Sequence, residues 1–293
     1  MAFECSYCLI EGNASGQANK VVRFGRFLRK SDHSQIQRYR CTGCKKSFSE
    51  ASTDLFYKQC KRGVNSKIAG LLASGVSQRR ASLLLGINRK TLIKKFILLG
   101  FLAQFFLLES NLEEPKSEII EFDDLETIEH TKLKPLSVTL AVEYQSRRIL
   151  GFKVSQMPAK GHLAKLSFKK YGRRKDFRAQ ARKALFTLIT PLVSEGVLIK
   201  SDENPHYPKD VREFFPGSIH QIHKGRRGCV VGQGELKKIG FDPLFSLNHT
   251  CAMLRANINR LFRKTWCTTK KPERLALHIA LYALFHNTRL KAA

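Results

Sequence analysis

The chain has 293 residues, 43% of them hydrophobic, which is enough to bury one large core and a smaller module and excludes a disordered chain. Lysine and arginine total 52 against 24 acidic residues, so the formal net charge is +28. This excess exceeds what solubility requires and favours a polyanionic partner, above all nucleic acid. Binding to that partner should depend strongly on salt.

The longest apolar stretch, residues 96–108, is interrupted by Gln104 and follows Lys94 and Lys95. A helix that spans a bilayer needs about 18 to 20 apolar residues, so we expect a buried helix here and no membrane partner. The first residues, MAFECSYC, lack the charged start and hydrophobic core of an export signal. We therefore expect the cysteines to lie in a reducing compartment, as metal ligands or thiols rather than disulfides.

Two cysteine pairs with the same two-residue spacing occur near the start, Cys5 with Cys8 and Cys41 with Cys44, and 32 residues separate them. Four thiolates on two tight turns suit the tetrahedral geometry of structural zinc, so residues 1–58 are predicted to form a zinc ribbon. The alternative is four buried free cysteines. It explains the folding of this segment less well, because so short a segment with few aliphatic residues needs a metal or another cross-link to fold. Packed or free thiols are predicted for Cys60, Cys229, Cys251 and Cys267.

Residues 62–108 are predicted to form a helix-turn-helix domain. Apolar residues recur there at helical spacing, glycines interrupt the pattern, and Ser77 and Asn88 are expected N-caps. The last helix, from Arg89, would enter the major groove of DNA. The expected DNA-facing residues are Asn88, Arg89, Lys90, Thr91, Lys94 and Lys95. The alternative is an ordinary three-helix bundle with a solvated basic face.

Nine of the acidic residues fall within residues 109–129. The cluster is either a linker that repels DNA or a source of ligands for a divalent cation. Within it, Ile120 and Phe122 indicate a buried strand with Asp123 at its end. A charged carboxylate at the end of a buried strand costs free energy, which indicates a functional role for Asp123.

Residues 116–293 are predicted to form the third domain. A hairpin is expected around Gln145 and Arg147, and a short buried strand at 197–199 precedes Asp202. The other expected elements are a basic helix at 177–193, a strand at 217–223 and helices at 248–263 and 272–286. This order is typical of a ribonuclease-H-like sheet. The predicted fold class is therefore α+β multidomain: an N-terminal zinc ribbon, a helix-turn-helix and a ribonuclease-H-like α/β catalytic domain.

Asp123 and Asp202 each follow an apolar strand, and two such aspartates can hold one or two Mg²⁺ ions about 4 Å apart that cut and join phosphodiesters. The alternative for each aspartate alone is an N-cap or turn residue. A third ligand normally comes from a later helix, but that helix carries Asn248 and His249 near its start and no acid. Acidic residues in the preceding loop are Glu235 and Asp242.

These motifs resemble a prokaryotic insertion-sequence transposase of the small family, insertion-sequence-one-like, that joins a zinc ribbon, a helix-turn-helix and a DDE catalytic domain. The resemblance covers nearly the whole chain, and in the catalytic part it depends on EFDD, SDENPHYP and LRANINRLFRKT. It implies that Asp123 and Asp202 bind Mg²⁺ or Mn²⁺, and that Zn²⁺ is structural. The family's third acid falls at Asn248, whose neutral oxygen can still ligate Mg²⁺, more weakly than a carboxylate, with His249 or Glu235 assisting.

The resemblance also implies a reaction and its partners. The reaction is hydrolysis at transposon ends, followed by attack of the freed 3′-hydroxyl on target DNA. The partners are double-stranded DNA, carrying terminal inverted repeats or target sequence, and further copies in a homodimer or higher assembly, in a nucleoid-associated cytoplasmic location. The cut strand would be held by Arg255, Arg260, Arg263 and Lys264. Two alternatives stay open: an inactive copy that binds DNA as a regulator, and a general nuclease of the same fold.

Three further stretches have simpler interpretations. Residues 168–183 are expected to form a loop and helix that contact phosphates, or a merely solvated basic face. Residues 223–234 are expected to form a flexible basic loop. Phe262 and Trp266 are expected on one helix face, packed in the core.

Overall fold

A computed structural model describes Cys5, Tyr7, Cys8 and residues 21–30, 32–224, 242–262 and 265–291. These residues form a mixed α and β protein with two sheets. The chain divides into two compact units, Met1–Asn65 and Ser66–Ala293. The predictions for the loop beyond residue 224 and for Cys229, Glu235, Arg263 and Lys264 lie outside the described residues.

The first unit contains an antiparallel three-stranded sheet in the order β1-β2-β3. Its elements are β1 (Val21–Arg29), β2 (Ser34–Cys41), β3 (Ser47–Ser49) and a one-turn helix α1 (Glu50–Thr53). Arg29 closes the first hairpin, because its Nε donates to Asp32 Oδ1 at 2.8 Å. Tyr39 and Phe48 pack with the cysteines into a small core. A unit with so little aliphatic core gains much of its stability from whatever joins those cysteines.

The second unit begins with three helices, as predicted: α2 (Asn65–Ala73), α3 (Gln78–Leu84) and α4 (Arg89–Leu112). Both predicted N-caps are confirmed. The Ser77 hydroxyl accepts from Arg80 N at 3.2 Å, and Asn88 Oδ1 accepts from Lys90 N at 2.8 Å. Gly86, in the turn between α3 and α4, has a φ of 59°, which a glycine adopts without steric cost.

Helix α4 is longer than the sequence pattern indicates, since it joins the last predicted helix of this domain to the apolar stretch at 96–108. By length and composition it could cross a membrane, with a mean hydropathy of 1.8 over an 18-residue window, 39% of which is buried. The helix packs along a later helix, α9 (Pro272–Lys291), and contacts the large sheet. Its apolar composition is therefore accounted for, at least in part, by packing within the unit.

The large sheet has the order β6-β5-β4-β7-β8. Its strands are β4 (Ser117–Ile128), β5 (Pro135–Glu143), β6 (Ile149–Gln156), β7 (Val193–Asp202) and β8 (Ile219–His223). Strands β4, β5 and β6 form an antiparallel meander, which confirms the predicted hairpin. Strand β7 pairs in parallel with β4, and β8 pairs in parallel with β7. The central strand β4 therefore lies between a hairpin and a crossover strand.

Helices cover both faces of this sheet. They are α5 (Leu163–Tyr171), α6 (Arg178–Ile189), α7 (Tyr207–Phe214) and α8 (Phe245–Asn257), with α9 beside β6. On one face Phe122 packs edge-on against Phe186 of α6, with ring centroids 5.0 Å apart. On the other face α8 packs against β4 and β5.

Further elements differ from the sequence prediction. Helices α5 and α7 do not appear among the predicted elements, because both are short and polar on their outer sides. Helix α8 ends at Asn257, earlier than predicted. Trp266 and Phe262 do not share a helix, and Trp266 is 79% exposed rather than packed in the core.

Buried amides join α4 and α9 to the sheet. Asn111 Nδ2 donates to the carbonyl oxygen of Ile149 at 3.0 Å, and Asn287 Oδ1 accepts from Ile149 N at 2.9 Å. Where the middle of α4 meets the beginning of α9, a Cβ built on Gly100 would lie 2.6 Å from Leu277 Cβ. The two helices therefore approach each other at a position where a side chain does not fit.

We expect Gly100→Ala to destabilise the second unit by about 1 to 3 kcal/mol, because the added methyl group forces the two helices apart. Urea unfolding followed by circular dichroism measures this change. Gly70→Ala in α2 is the matched control, since a Cβ there meets no atom within 4 Å. That control should be neutral or stabilising by up to about 1 kcal/mol; equal stability of the two variants would contradict the close packing of α4 and α9.

Candidate functional site

The four cysteines of the predicted zinc ribbon come together. Cys41 ends β2 and Cys44 lies in the turn before β3, where Cys41 N donates to the carbonyl oxygen of Lys46 at 3.0 Å. All four sulfur atoms lie within 4.8 Å of one another. The Cys5 and Cys44 sulfurs are 3.6 Å apart, and those of Cys8 and Cys41 are 3.8 Å apart.

This geometry fits a zinc ion. Zinc–sulfur bonds of about 2.3 Å in a tetrahedron place the sulfurs about 3.8 Å apart. Backbone N–H groups of Cys44 and Gly43 donate to the Cys41 sulfur and lower its pKa to about 7, which favours the thiolate. In the part of the chain that the structure describes, these four cysteines are the group of three or more metal-binding side chains whose ligand atoms lie within 4.8 Å of one another. The cluster could therefore hold zinc.

Most of the predicted DNA-facing residues of α4 are accessible. Asn88, Arg89, Lys90 and Lys94 are exposed, and Thr91 is half-buried. Lys95 is a correction, because it is only 2% exposed and therefore does not face solvent. It shares the inner face of the helix with the fully buried Leu92 and Phe96, three positions before it and one after.

Asp123 and Asp202 lie on the same face of neighbouring strands. Glu121 of β4 pairs with Lys200 of β7 in parallel register. Side chains alternate along a strand, so the residues two positions further on, Asp123 and Asp202, project to that same side. The structure therefore places this predicted pair on one face of the sheet, with Asp202 at the carboxyl end of β7. Asp123 lies in the middle of β4, which continues to Ile128, so the prediction that a strand ends at Asp123 was wrong.

The electrostatics of the site involve Asp124 as well as Asp123 and Asp202. Burial, followed by the charge of Asp202, raises the pKa of Asp123 to about 6. Burial and then the charge of Asp124 raise the pKa of Asp202 above its ordinary value. The Tyr207 hydroxyl opposes this by donating to Asp123 Oδ1 at 3.0 Å. A cation between the carboxylates would remove the repulsion.

Asp124 has a different environment, on the opposite face of β4. Its Oδ1 accepts from the Thr139 hydroxyl at 2.5 Å, across the β4–β5 pair. Its other oxygen is buried, with no hydrogen-bond partner among the described residues. This arrangement separates Asp124 from the face that carries Asp123.

Asn248 makes a hydrogen bond to a neighbouring acid, Asp242. It lies on the exposed side of α8, and its Nδ2 donates to Asp242 Oδ2 at 2.9 Å. His249 faces the β5–β6 turn, where Arg147 Nη1 lies 3.4 Å from each of its ring nitrogens. Cys251 lies one turn further along α8. Burial raises the pKa of its thiol to about 12, and the charge of Asp123 adds to this rise.

The two described arginines of the predicted strand-binding set differ in position. Arg255 is exposed on α8, one turn beyond Cys251. Arg260 lies with its guanidinium 5.8 Å from the centre of the Phe96 ring, and burial followed by the charge of Arg274 lowers its pKa to about 10. Arg260 therefore packs against the helices, which corrects its predicted place beside the cut strand.

Two residues that the sequence did not single out complete the surroundings. Glu121 is 0% exposed, and its Oε2 accepts from Leu247 N at 2.7 Å, which ties the first turn of α8 to β4. Burial raises its pKa to about 7. Strand alternation from Asp123 could have identified Glu121. No local signal marks Tyr207, because its contact with Asp123 depends on the placement of α7.

Comparisons with known proteins establish no family. No protein-family description and no curated protein matches the chain. Among solved structures, a chain of the cryo-electron microscopy structure of the simian T-cell lymphotropic virus intasome in complex with PP2A regulatory subunit B56 gamma matches at 13% identity and a TM-score of 0.28. The match covers 75% of this chain and 65% of that one. A TM-score this low does not establish a shared fold.

Replacing Cys41 with serine should abolish zinc binding, because a hydroxyl is a poor substitute for a thiolate in a four-sulfur site. Elemental analysis of purified protein should fall from about one zinc ion per chain to background. Cys60→Ser is the matched control, as Cys60 is an exposed free cysteine in the same unit. Full zinc content in the Cys41 variant would contradict the assignment.

Proposed function

We propose that the chain is a DDE-type transposase that cuts and joins transposon-end DNA with divalent cations held by Asp123 and Asp202. The observation that carries this proposal is the pair of partly buried carboxylates on one face of β4 and β7, each with a raised pKa. Buried like charges side by side are costly unless a cation or a shared proton compensates them.

The sheet order supports the ribonuclease-H-like assignment of this unit. Three antiparallel strands followed by two parallel ones, in the order β6-β5-β4-β7-β8, place the first aspartate on the central strand and the second on its parallel neighbour. Ligand sites in α/β sheets lie at the carboxyl ends of such strands. The net charge of +28 supports DNA as the partner.

In this proposal Asp123 and Asp202 hold Mg²⁺ or Mn²⁺, which would activate the attacking oxygen and stabilise the leaving oxygen at phosphorus. Tyr207 orients Asp123 by donating to Oδ1, so the other carboxylate oxygen is directed away from that bond. Arg89, Lys90 and Lys94 contact DNA phosphates and bases at the start of α4. The four cysteines hold structural Zn²⁺.

The position of Asn248 favours a second candidate function. Its amide donates to Asp242, and the resembling transposase family carries a glutamate at this position. A chain without a third acid from this helix would bind DNA without cutting it, as a transposase-derived regulator. The assembly we propose for either function is a homodimer or higher oligomer on double-stranded DNA, in the nucleoid of a prokaryotic cytoplasm.

A cleavage assay separates the two functions. Purified protein with Mn²⁺ or Mg²⁺ and a labelled duplex carrying the inverted repeats should nick the repeat ends, and Asp202→Asn should abolish nicking. DNA affinity should stay the same or rise slightly in that variant, because a negative charge near phosphates is lost. Glu126→Gln is the matched control, since Glu126 is an exposed acid of β4 that pairs with Lys160.

The outcomes are distinct. Nicks that vanish only in Asp202→Asn support the transposase. Tight, salt-sensitive binding without nicks, with cleavage restored by Asn248→Glu, supports the regulator. Degradation at all positions, without end specificity or strand transfer, would instead support a general nuclease.

Tyr207→Phe tests the orientation of Asp123. Loss of one hydrogen bond, worth about 1 kcal/mol, should weaken Mn²⁺ binding about fivefold, as measured by electron paramagnetic resonance titration. Higher metal concentration should restore cleavage. Tyr282→Phe, at another buried tyrosine, is the control and should keep the wild-type metal affinity. Equal metal affinity in the Tyr207 variant and wild type would refute the orienting role.

A further inference from the structure

A cavity in the second unit has a lining that includes neither Asp123 nor Asp202. It is a cleft of about 930 Å³ between α5, the segment that follows it and the start of α6. Its lining combines aromatic rings with cations, including Phe168, Phe177, Arg173 and Lys175. Neither the zinc site nor the aspartate pair accounts for it.

The aromatic rings of the cleft are unusually accessible. Phe168 is 65% exposed and Phe177 is 41% exposed. Both have fixed backbones: the Gly172 amide donates to the carbonyl oxygen of Phe168 at 2.9 Å, and Phe177 N donates to the carbonyl oxygen of Gln156 at 3.0 Å. Exposed rings on an ordered frame form a preorganised surface for a flat apolar group.

The wall of the cleft is also fixed. Ser167 is buried, and its hydroxyl donates to the carbonyl oxygen of Leu133 at 2.7 Å. Arg174 Nη2 donates to the carbonyl oxygen of Pro135 at 3.3 Å, and its Nη1 lies 3.6 Å from Glu129. These bonds attach α5 and the segment after it to the loop between β4 and β5.

The charge of the cleft is positive. Asp176 is the acidic member of the described lining, and Arg178 already binds it, with Nη2 to Oδ2 at 2.6 Å. Arg173 and Lys175 are exposed at the cleft. Further exposed cations on or beside α5 are Lys160, Lys165, Lys169 and Lys170. The cleft therefore suits a ligand with flat rings and negative charges.

We infer that this cleft binds one or two unpaired bases of a single-stranded DNA segment, with their phosphates against the surrounding cations. A duplex cannot stack its bases on the aromatic rings of the cleft, because the faces of its bases are already stacked inside the helix. Stacking of a base on an aromatic ring contributes about 1 to 3 kcal/mol and tolerates any sequence. The inference rests on the proposed function for the source of the strand, namely the DNA that flanks a cut end.

Fluorescence anisotropy with labelled oligothymidylate and with a duplex of equal length tests the inference on the full chain. Phe168→Ala should weaken binding of the single strand about tenfold and leave duplex affinity within about twofold of wild type. Phe101→Ala is the matched control, as Phe101 is a 58% exposed phenylalanine on α4, outside the cleft. Circular dichroism melting confirms that each variant is folded.

A second variant tests the phosphate contacts. Arg173→Gln should weaken single-strand binding and reduce the slope of log affinity against log salt by about 0.7, the value for one phosphate contact. A 2-aminopurine placed in the oligonucleotide should be quenched by wild type and less so by Phe168→Ala, because stacking is lost.

Unchanged single-strand affinity in Phe168→Ala, or an equal loss for duplex and single strand, would overturn the inference. The outcome is separable from that of the proposed function. If the cleft variants lose single-strand binding but no repeat-end nicking occurs, the inference holds and the transposase assignment fails. If nicking depends on Asp202 while the cleft variants bind like wild type, the reverse is true.

Discussion

The parallel pairing of β4 with β7 is the constraint on which the candidate site depends, because its register through Glu121 and Lys200 sets Asp123 and Asp202 on one face of the sheet. There the charge of Asp202 disfavours the charged form of Asp123. Burial strengthens the repulsion, because the interior screens charge poorly. A cation held between the two side chains would offset this repulsion, which is the basis of the proposed metal site.

The surroundings hold that geometry from both sides. Arg182 and Asp210 form a buried ion pair between α6 and α7, and the Arg182 guanidinium lies 5.1 Å from the centre of the Tyr207 ring. This fixes the phenol that reaches Asp123. From the other face, Glu121 binds the first turn of α8. Both helices are therefore attached to β4 within two residues of Asp123.

Local patterns predicted the local features and missed the tertiary ones. The caps at Ser77 and Asn88 and the hairpin were predictable because each depends on a few adjacent residues. The sequence predicted that each of Asp123 and Asp202 follows an apolar strand, but their placement on one face depends on the β4–β7 register, which the sequence does not specify. The burial of Lys95, the packing of Arg260 on Phe96 and the turn of Asn248 toward Asp242 depend on neighbours distant in sequence or on the rotation of a helix, which spacing alone does not specify.

Helix α4 carries the candidate DNA-facing residues at its first turns and is bonded to the sheet through Asn111 near its last. Its 24 residues make it about 36 Å long, with no break along the way. An inserted or deleted residue between these ends would rotate one relative to the other by about 100°. Substitutions can therefore change the side chains on the outer face of this helix, but the number of its residues sets the angle between the candidate DNA-facing residues and the sheet.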